Sequence, residues 1–405
     1  MTDIQLITLS GEDQPGVTAG ITAILAGHGA NVLDIGQSVI HATLSIGMLV
    51  EVPGADQREA ILAAVQAYAD EHGLRARFSD ITAASYSDWV AAQGRTRRII
   101  TLLARKITAD QLSRVTSVVH RHGLNIDGIN RLSGRIPLGE LPPLSKACVE
   151  FSVRGELEDV DCFRRELLEV ASALEVDLAF QQDNMYRRNR RLVAFDMDST
   201  LIEAEVIDEL AKAAGVGAQV SAITERAMRG ELDFADSFRE RVALLAGLPE
   251  SVLATIANDL KISEGAEHLI ATLHALGYKT AILSGGFNYF ARYLQERLGI
   301  DYVYANDLDI EDGVVTGRVR GDIVDGERKA ALLRELAATE NIDLQQVIAV
   351  GDGANDLPML SIAGLGIAFR AKPLVKQSAE QSISTLGLDA ILYLLGISDR
   401  YQAAP

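Results

Sequence analysis

Two aspartates close together follow a short apolar run in the second half of the chain. Asp196 comes directly after residues 192–195, Leu-Val-Ala-Phe, and Asp198 lies two positions later. In an open parallel sheet, ligands bind beyond the carboxyl ends of the strands. An extended chain with this spacing can direct both carboxylates toward one small volume. Unpaired carboxylates held there repel each other, so the pair indicates a nearby cation, although a solvated acidic turn is the alternative.

Two further apolar runs end in residues suited to a phosphate group and to a metal ion. One leads into Ser284-Gly285-Gly286, whose hydroxyl and backbone N–H groups suit a phosphate. Another leads into residues 351–356, Gly-Asp-Gly-Ala-Asn-Asp, whose oxygen ligands suit a hard cation such as Mg²⁺. Between them, Lys329 offers a fixed positive charge. Each motif alone could be a turn or a solvated position, but their joint order favours one phosphate- and magnesium-binding site.

The region that carries these motifs alternates short apolar strands with amphipathic helices. Strands are predicted at residues 192–195, 280–283 and 346–350, a pattern typical of a doubly wound, Rossmann-like α/β domain with a parallel sheet. Residues 204–260 have a helical pattern without strand signals, which predicts a helical cap inserted over the edge of the sheet. Residues 309–319 predict a β-hairpin with its turn at Asp312-Gly313.

The N-terminal part contains an internal repeat with a period of about 93 residues. Strands begin at Ile7-Thr8-Leu9 and at Ile100-Thr101-Leu102, and the helices after them end at His28-Gly29 and His122-Gly123. Each repeat continues in the order β-α-β-β-α-β, which predicts two ferredoxin-like α+β domains. The predicted domains are residues 1–85, 95–180 and 181–405.

Composition limits the classes of partner. The chain has 405 residues and a net charge of −18, which argues against a nucleic-acid partner, because duplexes are bound by neutralising their phosphates. Two cysteines, Cys148 and Cys162, make no disulfide framework and fit a reducing compartment. There is no apolar run long enough to cross a bilayer and no secretory signal at the start. We therefore expect a soluble cytoplasmic protein without a membrane partner.

The motifs, taken in chain order, resemble those of the haloacid dehalogenase superfamily of phosphotransferases, whose cap matches the helical insertion. They are Asp196-Met197-Asp198-Ser199-Thr200, Ser284-Gly285-Gly286, Lys329 and Gly351-Asp352-Gly353-Ala354-Asn355-Asp356. More narrowly, Glu205, Leu232-Asp233-Phe234 and the run at residues 237–242 resemble the superfamily members that act on phosphoserine. The implied reaction is hydrolysis of O-phospho-L-serine to L-serine and phosphate, the last step of L-serine biosynthesis.

The resemblance also implies catalytic and metal-binding roles. Asp196 is the nucleophile that becomes an aspartyl phosphate, and Asp198 is the general acid and then the general base. The implied Mg²⁺ ligands are Asp196, Asp198, Asp352 and the Met197 carbonyl, with Asp356 orienting them from behind.

The implied substrate contacts divide between the phosphate and the amino acid. Ser284, Gly285, Lys329 and Asn355 are expected at the phosphoryl group. Glu205 would pair with the substrate ammonium and Arg241 with its carboxylate.

The two N-terminal repeats resemble ACT domains, the amino-acid-sensing modules of biosynthetic enzymes. The resemblance implies an L-serine effector site that uses Asp13, Gly16 and Asn31, and a homodimer joined through residues 1–180. The second repeat has Arg105-Lys106 at the corresponding turn and lacks the Pro15-Gly16 pair, so its own ligand binding is in doubt. Repeats that only hold a dimer together are the alternative.

Two other functions compete with this interpretation. One is another small-molecule phosphatase of the same superfamily, against which Glu205 and Arg241 favour an amino-acid substrate. The other is a regulatory amino-acid-binding protein with a vestigial phosphatase domain, which is weakened because every expected catalytic position is filled.

Overall fold

A computed structural model describes residues 3–92, 96–139 and 142–401. The chain divides into two compact units, residues 1–95 and residues 96–405. In the described ranges no helix is both long and apolar enough to cross a membrane.

The first unit is a ferredoxin-like α+β domain followed by a short helix. Its elements are β1 (Asp3–Glu12), α1 (Val17–Gly27), β2 (Asn31–Ile40), β3 (Thr43–Val52), α2 (Ala55–Glu71), β4 (Arg75–Ile81) and α3 (Ala83–Ala91). The strands form an antiparallel sheet in the order β2-β3-β1-β4. Alternate residues of β3, such as Ile46 and Met48, are buried together with Ile21 and Ile61 of the two long helices. The alternation therefore directs one face of the sheet against α1 and α2.

The second unit begins with the second ferredoxin-like domain. Its elements are β5 (Arg97–Ala104), α4 (Ala109–Arg121), β6 (Asn125–Arg131), β7 (Ala147–Arg154), α5 (Val160–Leu174) and β8 (Asp177–Gln182), with sheet order β6-β7-β5-β8. Thr108 and Gln111 form a capping box that starts α4, and Val115, Val118 and Val119 are its buried apolar face. The predicted repeat is confirmed, since both sheets have the same strand order.

The rest of the second unit is built on a seven-stranded sheet. Its strands are β9 (Leu192–Phe195), β10 (Lys279–Phe287), β11 (Tyr302–Glu311), β12 (Val314–Arg320), β13 (Val347–Gly351), β14 (Leu365–Phe369) and β15 (Gln381–Ile383), in the order β12-β11-β10-β9-β13-β14-β15. Six strands are parallel, namely β11, β10, β9, β13, β14 and β15, and the edge strand β12 is antiparallel to β11. The hairpin between β11 and β12 turns at Asp312 and Gly313, which both have positive φ, as predicted.

Helices cover the sheet and form the cap. The cap helices are α6 (Val206–Ala213), α7 (Gly217–Met228), α8 (Phe234–Ala243) and α9 (Ser251–Asp259). The other helices are α10 (Ala266–Ala275), α11 (Asn288–Leu298), α12 (Gly326–Thr339), α13 (Leu357–Ile362), α14 (Pro373–Ser378) and α15 (Ile391–Leu394). The two chain connections of the cap pair with each other, because Ile202 and Ile262 form an antiparallel bridge. The cap is therefore an insertion between β9 and α10, and the predicted fold class is confirmed.

The second ferredoxin-like domain is joined to the seven-stranded sheet by polar side chains. The Gln381 side-chain amide accepts a hydrogen bond from the backbone N–H of Phe180 at 2.8 Å and donates one to the Phe180 carbonyl at 2.7 Å. Phe180 lies on β8, an edge strand whose outer backbone groups would otherwise lack a partner strand. The Asp177 carboxylate accepts the backbone N–H groups of Ser384 and Thr385 at 2.9 and 2.7 Å. These contacts join β8, at the edge of the ferredoxin-like sheet, to β15 and the residues after it, at the end of the seven-stranded sheet.

Candidate active site

A cavity of about 630 Å³ lies between the carboxyl edge of the sheet and the cap. The sheet side contributes residues that follow β9, β10 and β13, and the cap side contributes residues of α6, α7 and α8. The predicted site residues that line the cavity are Asp196, Asp198, Glu205, Arg241, Gly285, Asp352 and Asn355. Ser284, Lys329 and Asp356 are fully buried, and each contacts a residue that lines the cavity. The parallel strands thus bring together motifs that are up to 160 residues apart along the chain.

Asp196 lies at the end of β9 and is held by a fully buried lysine. Its Oδ1 lies 2.9 Å from Lys329 Nζ and accepts the backbone N–H of Met197 at 2.8 Å. Lys329 Nζ also donates to Asp356 Oδ1 at 2.7 Å, and Asp356 Oδ2 accepts the backbone N–H of Gly353 at 2.9 Å. One ammonium group therefore fixes two carboxylates that follow neighbouring parallel strands.

Asp198 is placed by a turn that redirects the chain after β9. Its own backbone is extended, and Ser199 then takes a left-handed conformation with φ of 54°. Asp198 Oδ1 accepts the backbone N–H of Val206, the first residue of α6, at 3.0 Å. A Cβ atom on Gly286 would lie 2.5 Å from Asp198 Oδ2, so this position requires glycine. The motif at residues 284–286 therefore packs closely against the motif at residues 196–200.

Three carboxylates form a cluster suited to a divalent metal ion. Asp196, Asp352 and Asp356 each have an oxygen within 4.8 Å of the others. Burial and the charge of Asp356 raise the pKa of Asp196, and the same causes raise the pKa of Asp352 to about 7. A hard cation with carboxylate ligands would remove this repulsion, so the residues present fit a metal ion.

The other predicted metal ligands are placed differently. Asp198 does not contribute to the carboxylate cluster. The Met197 carbonyl accepts the backbone N–H of Ile202 at 3.2 Å, which occupies one of its two lone pairs. The structure brings Asp356 to the cluster instead, although the sequence had suggested a supporting role for that residue.

The electrostatics of Asp198 suit a proton donor. Burial and the charge of Glu205 raise its pKa to about 8, against the opposing hydrogen bond from the Val206 N–H. A carboxyl group with this pKa holds a proton at neutral pH. Asp198 can therefore donate a proton into the cavity, and its carboxylate can accept a proton once it has done so.

Opposite charges from the cap line the far side of the cavity. Glu205 Oε1 accepts a hydrogen bond from the Ser199 hydroxyl at 2.8 Å. Arg241 donates from Nε to the Ser237 carbonyl at 3.3 Å, one turn back along α8. Burial lowers the pKa of Arg241, while the nearby charge of Glu205 opposes that effect. The cavity thus offers one anionic and one cationic group opposite the carboxyl edge of the sheet.

The last residues of β10 are fixed by a residue that the motifs did not reveal. Buried Asn306 of β11 donates to the Gly285 carbonyl at 2.8 Å and accepts the backbone N–H of Val324 at 2.8 Å. The Ser284 hydroxyl accepts the Gly286 N–H at 2.9 Å. A polar residue inside an otherwise apolar strand pattern is the signal that could have identified Asn306.

The predicted effector residues lie outside the cavity found on the sheet of the first unit. Gly16, with φ of 96°, immediately precedes α1, and Asn31 Nδ2 donates to Glu51 Oε2 at 2.9 Å. The cavity on this sheet, of about 610 Å³, is lined by the residues Thr8, Leu9, Ser10, Gly36, Gln37, Ser38, Ser45, Ile46, Gly47, Arg75, Ala76 and Arg77. Asp13, Gly16 and Asn31 are not among them. The effector site stays a prediction.

Three segments of the sequence match known families. Residues 193–361 match the haloacid dehalogenase-like hydrolases. Residues 3–79 and residues 96–181 each match an ACT domain.

Two characterised relatives are similar over nearly the whole chain. A phosphoserine phosphatase of Streptomyces coelicolor is 40% identical, over 97% of this chain and 92% of its own length. The phosphoserine phosphatase SerB2 of Mycobacterium tuberculosis is 41% identical, over 97% of this chain and 93% of its own length.

Two solved structures are also similar to this chain. A probable phosphoserine phosphatase of Vibrio cholerae superposes with a TM-score of 0.59 and 37% identity, over 74% of this chain and 86% of that one. A haloacid dehalogenase family hydrolase of Salmonella enterica has a TM-score of 0.64 and 33% identity, over 73% of this chain and 98% of that one.

The raised pKa values predict how pH acts on the metal-free protein. Asp352 and Asp198, with pKa values of about 7 and 8, bind more protons in the folded than in the unfolded chain above pH 4. The free energy of unfolding should therefore fall as pH rises from about 5 to 8. Chemical denaturation in a chelator at several pH values measures this slope.

Two comparisons isolate the cause of the slope. Asp352→Asn should flatten it, and saturating Mg²⁺ should reduce it in the unmodified chain, because the cation offsets the same charge. A free energy of unfolding that stays level or rises over this pH range would contradict the electrostatic account of the cluster.

Proposed function

The chain belongs to the phosphoserine phosphatase family of haloacid dehalogenase-like hydrolases, and we propose that it hydrolyses O-phospho-L-serine through an aspartyl-phosphate intermediate on Asp196. One observation carries the proposal. A single cavity joins Asp196 and Asp198 at the sheet edge to Glu205 and Arg241 on the cap, and buried Lys329 contacts Asp196. The first group suits a phosphate ester, and the second suits an amino acid.

In the first half-reaction Asp196 is the nucleophile. Its Oδ1 is engaged by Lys329 and the Met197 N–H, which leaves Oδ2 to attack phosphorus. A bond forms between Asp196 and phosphorus as the bond from phosphorus to the serine oxygen breaks. Asp198 gives its proton to that oxygen, so serine leaves as a neutral alcohol rather than as an alkoxide.

In the second half-reaction Asp198 works in reverse. Now a carboxylate, it takes a proton from the water that attacks phosphorus, and the bond between Asp196 and phosphorus breaks. Phosphate leaves, Asp196 is again a carboxylate, and Asp198 again holds its proton. The pKa near 8 suits both roles, since general acid–base catalysis is most effective when the pKa is close to the working pH.

Mg²⁺ is the proposed cofactor. Asp196, Asp352 and Asp356 would hold it, since their carboxylate oxygens form the metal cluster. The ion supplies positive charge that reduces the repulsion between the Asp196 carboxylate and the substrate phosphate. Lys329 remains the protein's own positive charge at this point, and Ser284, Gly285 and Asn355 are the proposed phosphoryl contacts.

The cap supplies specificity for an amino acid. Glu205 pairs with the substrate ammonium, and the Arg241 guanidinium pairs with the substrate carboxylate. Both line the cavity, and Arg241 is partly withdrawn from water, which strengthens its attraction for an anion. A phosphate ester without these two groups would leave both charges without partners.

We further propose that L-serine regulates the enzyme through the first ACT domain of a homodimer, by way of Asp13, Gly16 and Asn31. Feedback of this kind requires that serine prefer one of two conformations. Product inhibition at Glu205 and Arg241 is the alternative, since serine also leaves that site.

The nucleophile and the acid are tested by two amide substitutions. Asp196→Asn should abolish turnover, because an amide does not attack phosphorus. Asp198→Asn should slow turnover by about 10²–10⁴-fold, the usual contribution of acid–base catalysis. Steady-state phosphate release measures both, with Asp312→Asn in the exposed hairpin turn as a matched control. Substantial activity in Asp196→Asn would exclude the covalent mechanism.

Specificity is tested with Arg241→Ala and two substrates. The loss in kcat/KM should be about 10- to 100-fold greater with phosphoserine than with phosphoethanolamine, which lacks the carboxylate, because a charge-assisted contact contributes about 1.5–3 kcal/mol. Arg239→Ala is the control, since Arg239 is exposed on the same helix and pairs with Asp236. Equal losses on both substrates would place Arg241 outside the substrate contacts.

Regulation is tested by serine inhibition of the full chain and of Asp13→Ala. If the first ACT domain is the effector site, inhibition of the full chain should include a component that does not compete with phosphoserine, and Asp13→Ala should lack it. Purely competitive inhibition of equal strength in both proteins would leave only product inhibition at the active site.

A further inference from the structure

Three side chains with metal-binding atoms meet on the helical face of the second ACT domain. His122 follows the last residue of α4, and Cys162 and Glu166 are one turn apart on α5. Each offers a ligand atom, and these atoms all lie within 4.8 Å of one another. None of the three lines the catalytic cavity.

The separations of these atoms fit a tetrahedral metal ion. His122 Nε2 lies 3.1 Å from Glu166 Oε1, and Cys162 Sγ lies 3.9 Å from the same oxygen. Zinc bonds of about 2.0 Å to nitrogen or oxygen and about 2.3 Å to sulfur place neighbouring ligands about 3.3–3.5 Å apart. The two separations from Glu166 Oε1 are therefore within a few tenths of an ångström of these values, and the third pair of atoms lies within 4.8 Å.

Neighbouring side chains already orient these ligands. Arg121 donates to Glu166 Oε2 at 2.6 Å, which leaves Oε1 facing His122 and Cys162. The His122 ring packs edge-on against Phe163, with ring centroids 5.0 Å apart. Outer contacts of this kind fix the direction of metal ligands in proteins.

The group is reachable from solvent. The side chains of His122 and Glu166 are 16% and 27% exposed, and Cys162 is partly exposed. The other thiol of the chain, Cys148, is buried, and burial raises its pKa. Cys162 is thus the thiol that an ion from solvent can meet.

The donor set distinguishes this group from the catalytic cluster. Imidazole nitrogen, thiolate sulfur and carboxylate oxygen together favour Zn²⁺, whereas the all-carboxylate cluster of the active site favours a harder ion. The two sites would therefore not compete strongly for one metal.

The internal repeat offers a comparison within the same chain. In the first ACT domain His28 follows α1, as His122 follows α4, and its Nδ1 is 2.8 Å from the Gln57 side-chain oxygen of α2. A histidine in this position can therefore join two helices by a hydrogen bond alone. What distinguishes the second domain is the thiol and the carboxylate on the facing helix.

We propose that His122, Cys162 and Glu166 form a zinc site that ties α4 to α5. The thiol of Cys162 loses its proton to solvent as the zinc–sulfur bond forms, and water completes the fourth position. The ion links the end of one helix to the first turns of the other, so it stabilises the folded second ACT domain.

Cobalt titration of the full chain tests this site. With saturating Mg²⁺ present to occupy the carboxylate cluster, Co²⁺ should give one equivalent of a near-ultraviolet thiolate-to-cobalt absorption band. Cys162→Ser should abolish the band, and His122→Ala should weaken cobalt binding by about 10-fold or more, since even outer partners of metal ligands contribute 10–100-fold. Stoichiometric Zn²⁺ should displace the band.

A matched variant and a second readout complete the test. His28→Ala should leave cobalt binding unchanged, and Zn²⁺ should raise the thermal unfolding midpoint of the unmodified chain but not of Cys162→Ser. The proposal is overturned if the unmodified chain gives no charge-transfer band. It is equally overturned if the band is as strong in His122→Ala, because the thiol would then bind cobalt without the histidine.

Discussion

The active site depends on the placement of one buried ammonium group. Lys329 Nζ has no exposure and lies between the carboxylates of Asp196 and Asp356, at 2.9 and 2.7 Å. Burying a charge is costly unless it is paired and hydrogen-bonded. The pairing therefore constrains α12 against the ends of β9 and β13, and the sheet order that makes those strands neighbours is what allows one lysine to contact both.

One lysine does not balance the negative charge around it. Asp352 and Asp198 add two carboxyl groups, and burial together with the neighbouring carboxylates raises their pKa values to about 7 and 8, so the metal-free site does not ionise fully at neutral pH. The same imbalance has two chemical uses. It creates a place for a divalent cation, and it keeps a proton on Asp198, which faces the cavity beside Glu205 rather than the metal cluster. The proposed metal binding and the proposed acid catalysis would thus have a common electrostatic origin.

The sequence predicted what depends on local pattern. Strand ends carry the motifs, the insertion after β9 is helical, and Asp312-Gly313 makes a hairpin, because apolar periodicity and turn residues are local signals. It did not predict contacts that require distant packing. Asn306 is hydrogen-bonded to Gly285 and Val324, and Gln381 is hydrogen-bonded to Phe180 of β8. Both sets of hydrogen bonds join separate segments of the chain. The raised pKa of Asp198 likewise depends on burial by the cap.

The two ACT domains share a fold but differ at the same turn. In the second domain Arg105 stands where the first has its turn into α1, and it forms a two-point ion pair with Glu264, at 2.7 and 2.8 Å. Glu264 belongs to the chain that leaves the cap, and Arg370 also donates to it at 2.8 Å. The Arg105 side chain of this turn is therefore engaged by the chain that leaves the cap. The second domain therefore belongs to the same compact unit as the catalytic sheet, and the effector site that we propose lies in the first domain.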